Sequence, residues 1–163
     1  MSLGRIENYD KTLPILELYR CVQSEGSRFG RPTIAVRTTG CTHRCYFNDI
    51  ITIYNENPHI KEMMLTGGSP TMHPKLVNEL TNFAQKRGIY ITIETEGSHF
   101  VKTDFPIGLI SLSPKFSNSI PKIGAETPGG KIVDERMVKT HNRLRLNKDV
   151  IRETLDFHQY RHP

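Results

Sequence analysis

The sequence predicts an α/β protein with parallel neighbouring strands, and three observations carry that expectation. Short β-branched or apolar runs alternate with stretches of helical period. Sharp turns rich in Gly and Pro follow two of the runs. The chain has 163 residues, the size of one domain, and a domain of that length buries about 70% of the surface its unfolded chain exposes.

The elements follow in order. Residues 13–22 are apolar and predict a first strand. Residues 23–31, with Gly26 and Gly30, predict a turn-rich loop. Residues 32–37 (Pro-Thr-Ile-Ala-Val-Arg) predict a second strand. A loop carrying Cys41 and Cys45 comes next, and Asn48 or Asp49 is placed to cap a short helix reaching about residue 56. Residues 62–65 predict a brief strand, and Thr66-Gly67-Gly68-Ser69-Pro70 a sharp turn after it. Leu76, Leu80, Phe83 and Ala84 give residues 75–86 a helical period, which Gly88 ends. Residues 89–93 and 108–112 predict two more strands. Residues 117–147 are rich in Pro, Gly and Lys, and predict a long ordered loop or a mobile lid. Residues 148–158 predict a final helix.

Composition narrows the function classes. The net charge of +5 favours anionic partners such as phosphates, carboxylates or nucleic acid, though plain soluble proteins carry it too. No apolar run is long enough to span a bilayer, and residues 1–11 are polar, unlike a secretory signal. Three cysteines argue against a disulfide framework. A reducing cytoplasm with a metal or redox role is the simplest expectation.

Cys41-Thr42-His43-Arg44-Cys45 is the first chemical signal. Thiolates bind soft metals and iron–sulfur clusters, and a loop wrapped round one cluster can present two sulfurs at this spacing. A pair of loop thiols without a ligand role has the same spacing. Position adds weight: the pair follows Val36-Arg37-Thr38-Thr39-Gly40 at a strand end, and the Gly67-Gly68 turn follows the next strand. Glycines there let the backbone approach a ligand closely, although an ordinary left-handed turn reads the same way.

Together these features resemble the radical S-adenosylmethionine superfamily, whose members carry a Cys-x-x-x-Cys-x-aromatic-x-Cys loop and a later Gly-Gly-Glu-Pro-like turn. Within it, the chain is similar to the 7-carboxy-7-deazaguanine synthase family. Gln23-Ser24-Glu25-Gly26, Gly30-Arg31-Pro32, Arg37 and Gly40-Cys41 match that family's N-terminal stretch in order and spacing. Thr66 to Pro70, Glu94-Thr95-Glu96-Gly97 and Ser113-Pro114-Lys115 match its later motifs. The resemblance implies one domain over residues 1–163, built as a partial, modified (β/α) barrel with its site at the strand C-terminal ends.

The resemblance also implies a chemistry. A [4Fe–4S] cluster binds S-adenosylmethionine, and its reductive cleavage gives a 5′-deoxyadenosyl radical. The radical takes hydrogen from 6-carboxytetrahydropterin, the ring contracts, ammonia leaves and 7-carboxy-7-deazaguanine forms, in 7-deazapurine (queuosine-type) biosynthesis. Mg²⁺ and an electron donor such as flavodoxin or ferredoxin are implied, with a homodimer and a cytoplasmic location. Direct contact with nucleic acid or membrane is not expected.

Carried over by position, Cys41 and Cys45 match the first two cluster ligands. Thr66, Gly67, Gly68 and Ser69 match the turn that meets the cofactor's amino group, with Ser69 where the family usually has an acid. Glu94, Ser113 and Lys115 match positions around the cofactor's ribose and carboxylate. Gln23 and Glu25 match pterin-edge contacts, Thr95 and Gly97 flank the substrate, and Arg37 matches a carboxylate-binding arginine. Glu25 and Arg37 are the candidate catalytic groups. Each has a bland alternative: Glu94 a surface acid, Lys115 a solvated charge, Arg37 an anchor for a neighbouring carboxylate.

The match is incomplete at one ligand. The third cysteine of the motif falls at Asn48, and Cys21 in the first strand suits a buried structural thiol instead. About 20 residues separate Cys45 from Thr66, fewer than the family pattern implies. Asp49 is followed by Ile50, so the family's Mg²⁺-binding Asp-Thr has no clean counterpart. The expectation is that a cluster-loop segment is missing between Phe47 and Asn48, and a C-terminal part also. The other expectations are an activase that makes a glycyl radical on a partner protein, and a cluster-deficient binding homologue.

Overall fold

The structure, a computed structural model, describes residues 12–13, 15–38, 45–127 and 130–159. Five strands form one mixed sheet: β2 (Ile15–Val22), β3 (Pro32–Thr38), β5 (Glu62–Gly67), β6 (Tyr90–Thr95) and β7 (Leu109–Leu112). Their order is β2-β3-β5-β6-β7, with β2 antiparallel to β3 and every later pair parallel. A second, two-stranded sheet pairs β1 (Thr12–Leu13) with β4 (Cys45–Tyr46). The α/β class is as expected, with one antiparallel edge.

The strand expected over residues 13–22 is two elements, β1 and β2. Helix α1 (Phe47–Glu56) begins at Phe47, so the expected break between Phe47 and Asn48 falls in its first turn. Helix α2 (Pro74–Arg87) opens on Pro74, whose fixed φ suits a first helical position. It closes on Gly88, where the end was expected, through a left-handed cap at φ +61.

The expectation of a loop or lid over residues 117–147 needs correcting. It contains helix α3 (Glu135–Leu144), capped by Asp134, whose side chain accepts from the Met137 N–H at 2.7 Å. Every Pro and Gly of that stretch lies between residues 121 and 130. Its breaker-rich first half masked a helix-permissive second half. Helix α4 (Lys148–Gln159) follows, as expected.

Paired residues of neighbouring strands point to the same face, and successive residues to opposite faces. One face carries Ile34, Val36, Met63, Leu65, Ile91 and Ile93, packed against Ile50 and Tyr54 of α1 and Leu76, Val77, Leu80 and Phe83 of α2. That contact is the hydrophobic core. The other face carries a different set in register: Glu17, Arg37, Thr66, Glu94 and Ser111 toward one end, and Cys21, Thr33, Met64 and Thr92 toward the other. The fold therefore uses one sheet face for stability and presents polar groups on the other.

Candidate functional site

The polar face has a closed lower half and an open upper half. At the N-terminal ends of the parallel strands, Thr33, Ala35, Met64 and Thr92 are buried. Residues 23–31 fold beneath them. Arg28 lies 4.0 Å over the Tyr90 ring and donates through both Nε and Nη2 to the Glu62 carboxylate, the Nε contact being 3.2 Å. Arg31 adds a weaker contact to Glu62 at 3.6 Å. The hydrogen bond to Glu62 favours the charged form of Arg28, against the opposing effect of burial. Burial pushes the Tyr54 phenol far above its ordinary range, and the nearby Glu62 charge adds to this. Tyr54 instead donates to the Glu62 carbonyl at 2.8 Å.

Gln23 belongs to this floor. It is 2% exposed, and its backbone bonds Arg31 and Gly30 at 2.9 and 2.8 Å. Its amide oxygen is buried with no partner among the described residues. Glu25 is exposed beside it. Arg37 stands six residues beyond Arg31, which immediately precedes β3, about 20 Å at the usual strand rise. Gln23 and Arg37, expected in one substrate site, thus lie at the floor and the rim of the same face.

The rim is the C-terminal edge, where β3, β5, β6 and β7 end together. Gly67 takes φ +102, and a Cβ there would lie 2.3 Å from the Thr38 carbonyl oxygen and 2.7 Å from Arg37 Cγ. Only glycine fits between the two strand ends. The turn is fastened by Gly68 N–H to Thr38 O at 2.9 Å and by Thr38 Oγ1 to Thr66 O at 3.1 Å. Gly67 and Gly68 are themselves exposed, so their backbone faces outward.

Two carboxylates border that turn. Thr66 Oγ1 donates to Glu94 Oε2 at 2.6 Å, so Glu94 faces the turn. Ser69 Oγ donates to Glu96 Oε1 at 2.9 Å, and Ser98 Oγ donates to the same oxygen. Thr95 Oγ1 reaches Glu96 Oε2 only at 3.4 Å, while it also meets Thr71 Oγ1 at 3.1 Å and the Gly97 N–H at 3.2 Å. Gly97 takes φ +76 and packs against α4, its Cβ direction meeting Ile151 at 3.2 Å. No ion pair to Glu94 or Glu96 forms among the described residues.

The remaining expected residues divide. Ser113 is exposed at the rim, its N–H bonded to Thr95 O at 2.8 Å. Lys115 is exposed, and its backbone is tied to Arg145 at the α3–α4 corner by Lys115 N–H to Arg145 O at 2.8 Å. Arg37 is half-exposed and pairs with Glu17 Oε2 at 3.0 Å, a cross-strand partner that sequence spacing did not reveal. Cys41 lies outside the described residues, and only the backbone of Cys45 is described, in β4. Cys21 is half-buried on the polar face; burial raises its thiol pKa first, and the Glu94 charge raises it further. Glu96 has no role in the sequence reading; its hydroxyl partners are Ser69, 27 residues away, and its own neighbours Thr95 and Ser98.

An α/β sheet with a glycine turn and two carboxylates at its C-terminal edge defines the class. The fold resembles that of QueE from Escherichia coli, with a TM-score of 0.53 at 21% identity over 77% of this chain and 66% of that one. The chain is homologous to curated 7-carboxy-7-deazaguanine synthases. It is 35% identical to that of Halobacterium salinarum over 152 residues, covering 83% of this chain and 56% of the relative. It is 28% identical to that of Rhodopirellula baltica, covering 90% and 59%, and 28% identical to that of Aquifex aeolicus, covering 71% and 60%. The chain spans a little over half the length of these relatives. No family model matches it. Among the described residues, no helix is long and apolar enough to cross a membrane.

Proposed function

We propose that the chain carries the core of a 7-carboxy-7-deazaguanine synthase-like radical lyase, acting on 6-carboxytetrahydropterin in 7-deazapurine biosynthesis in the cytoplasm. The observation that carries this reading is the 35% identity to a named synthase over 83% of the chain. The sheet would then be the described part of a partial barrel, with the polar face turned inward. These relatives favour the synthase over a glycyl-radical activase or a non-catalytic homologue.

The rim fits S-adenosylmethionine. An exposed Gly67-Gly68 turn would let a ligand approach its backbone closely, and Glu94 offers a carboxylate to a ribose diol. Bound with a [4Fe–4S] cluster, the cofactor supplies a 5′-deoxyadenosyl radical for hydrogen abstraction. Cys41 and Cys45 would provide two cluster thiolates, and a third is expected from a segment between Phe47 and Asn48 that this sequence does not carry. Arg37 would exchange its Glu17 partner for the substrate carboxylate, and a pterin-edge role for Gln23 rests on resemblance alone. Mg²⁺, a flavodoxin- or ferredoxin-type donor and a homodimer rest on resemblance alone.

The test is anaerobic reconstitution of the full-length gene product with iron and sulfide, followed by incubation with S-adenosylmethionine, dithionite and 6-carboxytetrahydropterin. Formation of 7-carboxy-7-deazaguanine, lost in Cys41→Ala, is expected. Intact mass of the natural gene product checks the missing segment. A reconstituted protein that cleaves the cofactor but leaves the pterin unchanged overturns the substrate assignment.

A further inference from the structure

We infer that the exposed basic face of α3, with the apolar arm leading into it, is the docking surface of an acidic one-electron donor protein. This rests on the cofactor reading above and names where the reductant of that chemistry sits. Along α3, Met137, Val138, His141 and Leu144 are half-buried, whereas Arg136, Lys139 and Arg143 are exposed. Spaced three and four residues apart, the three cations share one helix face, and they line one open groove. Lys139 has a loose contact to Glu135 at 3.8 Å. Arg136 and Arg143 have no ion pair among the described residues, whereas Arg28 and Arg37 are each held by a carboxylate. Unpaired guanidinium groups on one face are the complement of carboxylates or phosphates.

The arm before α3 is apolar. Phe116, Ile123 and Ile132 are 69%, 64% and 60% exposed. Ile123 and Ile132 flank a short ladder, in which Gly124 N–H meets Val133 O at 2.9 Å and Val133 N–H meets Ala125 O at 2.8 Å. Val133 stands two residues before the start of α3. Large aliphatic groups beside arginines are the composition of a protein interface, since nucleic-acid contacts are more polar. The charge selects an acidic protein: a second copy, itself at net +5, would bring like charge to like charge.

This surface adjoins the rim. Lys115 follows the end of β7 by three residues, and its N–H bonds Arg145 O, just past the end of α3, at 2.8 Å. A protein seated on α3 therefore lies beside the edge that the cofactor reading assigns to S-adenosylmethionine. One electron passes from the reduced partner to the cofactor, whose sulfonium–carbon bond cleaves to methionine and the 5′-deoxyadenosyl radical. The partner leaves oxidised by one electron.

The probe is flavodoxin, an acidic flavin protein, and dithionite serves as a small reductant that needs no docking surface. Equilibrium binding of flavodoxin to the full-length gene product is measured at low and high salt, with the thermal midpoint recorded for each variant. Arg136→Glu with Arg143→Glu should weaken binding roughly tenfold or more at low salt, and the difference should shrink as salt rises. The neutral pair, Arg136→Gln with Arg143→Gln, should give a smaller loss in the same direction. Lys75→Glu with Lys86→Glu, exposed on α2, makes the same change in net charge as the first pair and should weaken binding about twofold at most. In the reconstituted protein, the α3 pair should slow cofactor cleavage driven by reduced flavodoxin and leave cleavage driven by dithionite unchanged.

Equal weakening by the α3 and α2 pairs overturns the inference, because net charge alone then explains the binding. No binding of flavodoxin, or binding that the α3 pair leaves intact, also overturns it. An RNA duplex bound more tightly than flavodoxin, and lost in the α3 pair, reassigns the face to nucleic acid. A dimer lost in the same pair reassigns it to a second copy. If dithionite drives no cleavage, the cofactor reading fails, and the binding measurement still decides whether α3 docks an acidic protein.

Discussion

The two ends of the polar face use the same residue types to opposite effect. At the floor, the buried Glu62 carboxylate meets two guanidinium groups, one of them stacked on Tyr90. At the rim, Glu94 and Glu96 meet only hydroxyls among the described residues. A carboxylate fully answered by arginines is part of the fold. One held in place by hydroxyls keeps its charge unanswered among the described residues. The contrast between the two ends can be broken by substitution at either one.

The largest effect should come from the rim glycine, Gly67, with the floor glycine, Gly30, as its contrast. Gly67→Ala must place a Cβ 2.3 Å from a backbone oxygen at φ +102. Backbone strain and overpacking together should cost about 4 kcal/mol. Gly30→Ala at the floor has φ +85 but open space around it, so it should cost only about 1 kcal/mol. Urea midpoints of the two variants, read with unchanged slopes, give the contrast. Similar losses would mean that the strand ends at the rim can spread apart.

Glu62→Ala should come next. It leaves Arg28, with 20% of its side chain exposed, without its carboxylate, and breaking such a pair costs about 3 kcal/mol. The loss should appear in the same denaturation curve and leave affinity for an S-adenosyl ligand at the rim unchanged. Thr66→Val is the mirror case. It removes the 2.6 Å bond to Glu94 at a stability cost of about 1 kcal/mol, yet should weaken ligand binding. A Glu62 variant that lost ligand affinity while still folded would show the two ends to be one site.

How much of this was legible in the sequence follows from the range of each interaction. The strands β3, β5 and β6, helix α2 and its Gly88 cap were readable because propensity, period and breaker residues act over a few positions. Helix α3 was missed because its polar, poorly buried face gave little apolar signal beside a Pro- and Gly-rich neighbour. The rim residues were found through ordered motifs. Their partners were not, since Arg37 meets Glu17 through sheet register and Ser69 meets Glu96 only where the loops after two neighbouring strands come together. Motif order names Gln23, Glu25 and Arg37 together but carries no distance along a strand, so their places at floor and rim came only from the sheet.

The smallest effect tests how separate the two ends are. Cys21 pairs with Thr33, toward the floor, yet the Glu94 charge at the rim still raises its thiol pKa after burial has done so. Both groups lie on the polar face, and the low-dielectric strip of Ala35, Met64 and Thr92 between them transmits the field. A raised pKa lowers the thiolate fraction at a given pH, and the thiolate is the nucleophile. Cys21 should therefore alkylate slowly at pH 8 in a Cys41→Ser, Cys45→Ser background. Removing the Glu94 charge lowers the Cys21 pKa, so Glu94→Gln should accelerate alkylation a few-fold. The gain should shrink as salt rises to the extent that solvent reaches the strip, and it should vanish once pH exceeds both pKa values. Glu62→Gln, which alters a charge at the floor already matched by two arginines, should leave the rate nearly unchanged. An equal acceleration in both variants would place Cys21 in the field of the floor, and the assignment of one continuous polar face running from floor to rim would fail.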